Sequence, residues 1–584
     1  MSNKLIIILG ILFVFTNLFS VSAEAQTNSL KGKVVDQNQA ALSGATVTAQ
    51  KRIDSTSIKT ETDANGEFEF INLTPGEYRI SVEAKGFSDT SQKVTLENSS
   101  QNLNFELTVG NINESVTVTA TRTQVSTEET AVPVTVLSRE RIERQNVNTI
   151  GDVFRNLPGA STVNEGAFQV RPRIRGLESN RILILVDGER LNNARTSTAQ
   201  SGIEIGLVDT EQIETLEIVR GSGSVLYGTD ALAGTVNIIT KDAPRNLSEG
   251  FRLGATFNGY FSSNESGRRG NLALTGSSKY FSFRLAQSLE RYGNYFTGDA
   301  EGLTFATVAG YPTRAEVGSS QSHGGNTNLT TRYFFNDNND LRLNYERRRS
   351  SSIGSPLLTA ASGFNAYFPN SDRDKFSGRF ETRNQNQYLA RISASFYYQN
   401  QNRNFTNETI VLPFVNSLSE TRTDTTSYGF DGQSNWLLGT KNFLTAGVSF
   451  FRDENEDFRL SLNRLTNVSN TTTSVPNADF GSFAGFVQDE FEVSRRLKLI
   501  GGFRIERFFS SSTQTTGFAL PVTITTSQRE DLGILGLDTG LKVSETATTG
   551  DLGAVFRVTD FVSVTGRIGR SYRVANLFER FFTG

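Results

Sequence analysis

From about residue 245 onward the chain repeats one pattern: apolar side chains at every second position, a turn, then the same again. Phe251, Leu253, Ala255, Phe257 and Phe261 alternate with Arg252, Thr256, Asn258 and Ser262, and Phe281, Phe283 and Leu285 alternate with Ser282, Arg284 and Ala286. Ala390-Ile392-Ala394-Phe396-Tyr398, Leu444-Ala446-Val448-Phe450 and Leu497-Leu499-Gly501-Phe503-Ile505 continue it. A period of two predicts strands with one apolar face and one wet face. Tight turns fall at 336–340, 384–387, 439–442, 494–495 and 559–560, and they alternate with long polar stretches such as 292–326 and 510–549. Short turns on one side and long loops on the other suit a membrane β-barrel, and a soluble sandwich has no reason to sort its loops so. The pattern yields about thirteen strands, whereas single-chain bacterial barrels close with an even number. The chain also stops at Phe582-Thr583-Gly584 without a terminal strand ending in an aromatic residue. The expectation is therefore an incomplete transmembrane antiparallel barrel over 245–584, truncated on its C-terminal side.

Upstream the pattern changes. Arg181-Ile182-Leu183-Ile184-Leu185-Val186-Asp187-Gly188 is an unbroken apolar run ending in a tight turn, which predicts a strand buried on both faces. Ile213 to Val219 alternates as a half-buried strand, and Gly234 to Thr240 adds another, so a small mixed sheet is expected. Between them, Gly221-Ser222-Gly223 could open a dinucleotide fingerprint, but its third glycine position is Leu226 and no ribose-binding acid follows in a βαβ unit. Ser138 is placed to cap a helix over 139–145. Thr149 with Asp152 makes a capping box ahead of Ile150, Val153, Phe154 and Leu157, stopped by Pro158-Gly159. Earlier still, residues 29–109 read as a β-sandwich: Ala45 to Gln50 alternates, Asp63-Ala64-Asn65-Gly66 turns, Phe68 and Phe70 share a face, and Thr74-Pro75-Gly76 precedes Tyr78, Ile80 and Val82.

Composition narrows the chemistry. Lys+Arg 58 against Asp+Glu 61 gives a net charge of −3, so no basic field invites nucleic acid. With Cys 0 and a single histidine there is no thiolate nucleophile, no histidine cluster for zinc and no disulfide. That histidine, His323, sits in a polar stretch and is expected on an exposed loop. Lys4, the apolar run Leu5 to Phe19 and Ala23-Glu24-Ala25 read as a secretory signal over 1–25, too short to span a bilayer as a helix. A chain with 43 Phe, 15 Tyr and mean hydropathy −0.33 fits a barrel, whose alternation hides its apolar face from window averages.

The sequence from Arg171-Pro172-Arg173-Ile174-Arg175-Gly176 through Arg220-Gly221-Ser222-Gly223-Ser224-Val225-Leu226-Tyr227-Gly228 resembles the plug domain of TonB-dependent outer-membrane receptors, here over 130–241. Phe486-Val487-Gln488-Asp489-Glu490-Phe491 and Ser571 to Glu579 resemble mid-barrel motifs of the same family, the latter with Ala575 where proline is common. Gly32-Lys33-Val34-Val35-Asp36, Ser43-Gly44-Ala45, Leu73-Thr74-Pro75-Gly76-Glu77-Tyr78 and Lys85-Gly86-Phe87 resemble the carboxypeptidase-regulatory-like domain, whose motifs are turns and core positions and imply no peptidase. The fold class expected is thus mainly β: an N-terminal β-sandwich, a small α+β plug and the incomplete barrel.

The resemblance implies a receptor in the bacterial outer membrane with a periplasmic N-terminal domain, acting as a monomer without catalytic residues, cofactor or bound metal of its own. Residues 113–122 look like the TonB box: Glu114, Ser115, Val116, Thr117, Val118, Thr119, Ala120, Thr121 and Arg122 would contact a TonB-type energy-transducing protein of the inner membrane, and their β-branched alternation suits strand addition to a partner sheet. Arg173, Arg175, Glu217 and Arg220 match charged plug positions that pair with the barrel wall. Ligand contacts would come from Asn164, Glu165, Phe168, Glu178, Ser179, Asn180, Arg190, Asn192, Asn193 and Arg195. The ligand implied is a ferric siderophore or similar chelate. An importer of oligosaccharide, peptide or cobalamin is the neighbouring reading, and an outer-membrane adhesion or scaffold protein the rival of another class.

Overall fold

The computed structural model describes residues 28–581 apart from 37–38, 52–56, 85–89, 97–100, 108–116, 119–124, 127–130, 165, 192–204, 222, 244, 247–249, 299–315, 357–362, 384, 440, 495, 521–524, 532–535 and 560–561. The expected signal segment lies outside this set. Two compact units divide at Ser115.

The first unit is the sandwich. One sheet runs β4 (Glu67–Leu73), β1 (Asn28–Asp36), β7 (Gln101–Leu107), and the other β3 (Ser57–Glu61), β2 (Thr46–Lys51), β5 (Gly76–Glu83), β6 (Thr90–Leu96). Inward positions from both sheets, among them Leu30, Val34, Phe68, Phe70 and Phe105 with Val47, Ile80 and Val82, form one core. The turn after β3 is fixed by Asp63, whose carboxylate accepts from the Asn65 and Glu67 amides at 2.9 and 2.8 Å.

In the second unit, a five-stranded mixed sheet follows the order β10 (Val134–Ser138), β16 (Ile213–Arg220), β17 (Gly234–Thr240), β14 (Ile182–Val186), β15 (Glu189–Arg190). β14 lies parallel to β17, and β16 antiparallel to it. A second small sheet carries β11 (Ala160–Asn164), β12 (Val170–Ile174) and β13 (Leu177–Glu178). The helix Arg139–Gln145 starts at Ser138, although the serine side chain makes no cap bond. The capping box of Thr149 and Asp152 is formed, but what it starts is a 3-10 helix over Ile150–Asn156 rather than an α-helix. The backbone of Val170 lies so close that a Cβ at Gly151 would strike its carbonyl, so this position takes only glycine.

Strands from β18 (Arg252–Ser262) to β31 (Ser563–Arg570) build a single 14-stranded antiparallel sheet in chain order, with β27 (Val468–Thr472) off the main path and paired to β26 (Asn442–Asn463). Among the described residues β18 and β31 are not paired with each other, so the sheet does not close on itself. Period-two alternation turns the aromatics outward: Phe257, Phe281, Phe396, Phe483 and Phe503 are exposed, while the intervening residues face a buried polar interior. Tyr345, Phe376, Tyr398 and Tyr428 stand opposite one another on four successive strands, an aromatic row of the kind that marks a membrane interface.

Two details differ from the sequence expectation. The long loops are shorter than their polar composition suggests: β21 (Ser322–Phe334) and β30 (Lys542–Arg557) each begin inside a stretch read as loop, and His323 lies in β21 opposite Arg291 and Ser351. Hydrogen bonding to a neighbouring strand overrides polarity there. Secondly, β24 (Leu389–Val411) and β25 (Val415–Leu438) run 23 and 24 residues, far beyond the roughly 9–11 a membrane strand needs. On that side strand rather than loop projects from the bilayer.

Candidate functional site

The inner sheet is held by charge. The turn after β14 takes Asp187 and Gly188 to φ 54° and 82°, the left-handed pair that a two-residue hairpin requires. It presents the Asp187 carboxylate to Thr240, which donates from its amide at 2.9 Å and its hydroxyl at 2.7 Å. Arg342 of β22 (Asn339–Gly354) closes on the same carboxylate at 3.0 Å and on Asp242 at 3.2 Å. Burial pushes the Asp187 carboxyl up, but the Arg342 charge and the two Thr240 bonds outweigh it and hold the group below the ordinary carboxylate range. One residue further, Glu189 meets Lys375 of β23 (Phe364–Arg383) at 2.7 Å, both buried. Arg379 of the same strand donates to the Asp187 carbonyl.

A second contact row lies at the turn Thr210–Gln212. Asp209 caps it by accepting from the Glu211 amide at 3.0 Å and also takes a bond from Ser288. Glu211 pairs with Arg269 at 3.2 Å, and Gln212 accepts from Arg284. The inner domain thus offers acids and amides to a wall of arginines and a lysine on β19 (Gly267–Ser277), β20 (Phe281–Tyr292), β22 and β23. Opposite, the short helix Ser224–Tyr227 packs on β28 (Ala478–Ser494), β29 (Leu497–Ser512) and β30. Gly228, at φ 81°, permits that approach, because a Cβ there would collide with the Glu506 carboxylate.

Arg190, which follows Glu189 in β15, bonds Asp230 at 2.6 Å and the Tyr227 carbonyl at 3.1 Å, with its guanidinium 4.8 Å above the Phe451 ring. Arg573 approaches Asp230 at 3.9 Å, Asn180 donates to Glu579 at 2.9 Å, and the Thr229 hydroxyl accepts from the Val574 amide at 3.2 Å. Burial raises the Asp230 carboxyl, and Arg190 and Arg573 offset this only in part. Phe168 lies 4.8 Å from Tyr292 between ring centroids, and Gln169 donates to the Gly354 carbonyl at 2.7 Å.

A folded domain is thus held by ion pairs and hydrogen bonds against a long antiparallel sheet whose aromatics face outward. Residues 126–235 match the TonB-dependent Receptor Plug Domain, residues 311–584 the TonB dependent receptor-like beta-barrel, and residues 29–108 the carboxypeptidase regulatory-like domain. The chain belongs to the TonB-dependent receptors. It is 26% identical over 420 residues to the vitamin B12 transporter BtuB of Photobacterium profundum, covering 70% of this chain and 62% of that protein. The BtuB of Vibrio vulnificus is 34% identical over 145 residues, 24% of this chain and 23% of that protein. Among solved structures, the copper transporter OprC (TM-score 0.59, 16% identity) matches 75% of this chain and 63% of its own, and the ferric citrate transporter FecA (TM-score 0.58, 16% identity) matches 78% and 64%. The chain therefore spans less than two thirds of the length of these relatives, and the likeness to the solved structures is one of fold.

Within this TonB-dependent receptor the sequence-derived residues are distributed as follows. Arg173 pairs with Glu178 at 3.4 Å, its cross-strand neighbour on β12 and β13, and so inside the plug rather than on the wall. Arg220 donates to Thr135 at 2.8 Å, and Glu217 accepts from Asn237 at 3.2 Å, again between neighbouring plug strands. Arg175 is exposed, at φ 50° in the turn between β12 and β13. The carboxylates of Asp187, Glu189, Glu211 and Asp242 are the ones that reach the wall arginines and lysine. The signal for them was present as acids in turns at strand ends, but nothing local tells which turn faces the wall.

Of the expected ligand contacts, Phe168, Asn180 and Arg190 make the packing and bonding contacts described above. Asn164 is exposed at the end of β11, and Glu178 and Ser179 are half-buried. Glu165, Asn192, Asn193 and Arg195 lie outside the described residues, as do Glu114, Ser115, Val116, Thr119, Ala120, Thr121 and Arg122. From the box only Thr117–Val118 is described, as a two-residue strand (β8) paired antiparallel with β9 (Val125–Ser126).

Proposed function

We propose that this chain serves energised import across the outer membrane: it captures a large, scarce metal chelate, a ferric siderophore first, and passes it inward when a TonB-type inner-membrane protein engages residues 114–122. The observation that carries the reading is the plug's ionic seat, with Asp187 and Asp242 on Arg342, Glu189 on Lys375 and Glu211 on Arg269. A lumen filled by a domain seated on buried and half-buried ion pairs passes nothing large at rest. Separating a buried pair without new partners costs about 3–5 kcal/mol, several times thermal energy, so opening requires work delivered from elsewhere. Asn164, Glu165, Phe168, Glu178, Ser179, Asn180, Arg190, Asn192, Asn193 and Arg195 are the proposed ligand contacts, and Asn164 is exposed at the end of β11. The sandwich is assigned to the periplasm, and the receptor to a monomer in outer-membrane lipid.

A second reading, cobalamin as cargo, is supported by the similarity to two proteins named as vitamin B12 transporters. Equilibrium binding of a panel of ferric chelates, cobalamin and oligosaccharides, followed by uptake with and without the inner-membrane energy source, separates the possibilities. Tight binding of a ferric chelate with energy-dependent uptake is expected. Selective cobalamin binding would move the cargo to the second reading, and a receptor that binds none of these and takes up nothing would return the chain to the scaffold class.

A further inference from the structure

Four neighbouring strands carry a polar row on the lumen face of the wall that the plug contacts do not absorb. Asn326 on β21 stands opposite Arg348 on β22, Arg348 opposite Arg373 on β23, and Arg373 opposite Gln401 on β24. All four are buried, Asn326 and Arg373 completely. Two arginines placed directly across from each other repel. Each is compensated along its own flank: Arg348 by Glu290 and by the Ser350 hydroxyl at 3.0 Å, Arg373 by Glu346 at 2.6 Å. Each guanidinium still has nitrogens without a partner, Nη1 of Arg348 and both Nε and Nη1 of Arg373. The Asn326 amide lacks partners on both atoms and Gln401 on Nε2.

The unpartnered set is therefore five donor nitrogens against one acceptor oxygen. A buried donor left unmade costs about 1–3 kcal/mol, so a row this one-sided calls for an occupant rich in acceptors. Two guanidinium edges flanked by amides match the oxygens of a carboxylate or phosphate. We propose that Asn326, Arg348, Arg373 and Gln401 form a binding site for a small free oxyanion, carboxylate or phosphate in class, which bridges the two arginines across β22 and β23. This wall site rests on its own residues and does not depend on which cargo the receptor imports.

The test uses the whole receptor folded in detergent, with its unfolding temperature read from heat-modifiable gel mobility. Inorganic phosphate or acetate is titrated against chloride at constant ionic strength. A saturable rise of about 2 °C or more is expected with at least one of the two anions. Arg373→Lys keeps a positive charge for Glu346 but removes the unpartnered fork, and should weaken the half-saturation point at least tenfold. Asn326→Ala alters no charge, so it carries the test should Arg373→Lys fail to fold, and it too should weaken the response. Arg347→Ala, an exposed neighbour on the opposite face of β22, should leave it intact. No rise in the wild type with either anion means that water alone serves these donors and overturns the proposal. Equal rises in the wild type and both site variants overturn it as well, by assigning the effect to the surface.

Discussion

At the residue scale, the plug's attachment turns on a few charges out of water. Glu189 and Lys375 are both buried. Lys375→Met leaves the Glu189 carboxylate stranded and should cost about 3–5 kcal/mol, whereas adding Glu189→Gln should recover part of that loss, because the uncompensated charge goes with it. Urea titration of plug protection against protease would measure both. Asp187 and Asp230 make a pair with opposite signs. Asp187 titrates lower in the fold than the unfolded value near 3.9, so its contribution is complete above that value and drains as pH falls through it towards the folded one. Asp230 titrates higher in the fold, so its ionised form subtracts stability at neutral pH and the deficit disappears on acidification. Asp187→Asn should therefore cost about 3 kcal/mol at pH 7 and approach wild type as pH drops below about 4, while the gap between wild type and Asp230→Asn should widen in favour of wild type over the same descent. Parallel curves for the two variants would contradict this assignment. Asp187 was legible beforehand only as half of a turn. That it meets Arg342 depends on how two sheets separated by more than a hundred residues come together, and no local rule encodes that.

At the scale of elements, alternation carried most of the fold. Period two marked the barrel strands and their outward aromatics, and turn residues marked the sandwich, because strand register is set by which face is buried. Where two periods compete, the reading failed in detail: Ile150, Val153, Phe154 and Leu157 fit an α-helix, yet Ile150–Asn156 is a 3-10 helix. The loop read over 292–326 likewise lost its last residues to β21, since a polar strand paired on both edges leaves no apolar trace. The outward face also makes a graded prediction. Val448 lies mid-band on β26 between Gly432 and Gly485, and Tyr428 lies in the aromatic row at the band's edge. Val448→Arg should cost about 2–4 kcal/mol of folding stability in lipid vesicles and Tyr428→Arg about 0–1. Denaturant titrations in vesicles check the order, and equal costs would mean that the band is placed wrongly.

For the whole molecule, the question is how work applied at one end could release a domain seated on buried ion pairs along the wall. The proposed box lies ahead of the plug, and its one described fragment, Thr117–Val118, is paired with Val125–Ser126. Strand addition to a partner sheet uses the same backbone groups, so the short internal ladder competes with engagement. Val118→Pro removes a donor and fixes φ, which disfavours both pairings. Val118→Ala keeps the donor and the acceptor. Val125→Pro is the informative control, since it breaks the internal ladder while leaving residues 114–122 intact. Energised uptake should be abolished in Val118→Pro, largely kept in Val118→Ala, and kept or raised in Val125→Pro. Ligand affinity should stay unchanged in all three, because the proposed ligand loops lie elsewhere in the plug. Uptake and affinity are measured separately on the same preparations. Loss of uptake in both proline variants would make the internal ladder itself the required structure, and full uptake by Val118→Pro would reduce 113–122 to a linker and leave the ionic seat without an identified source of work.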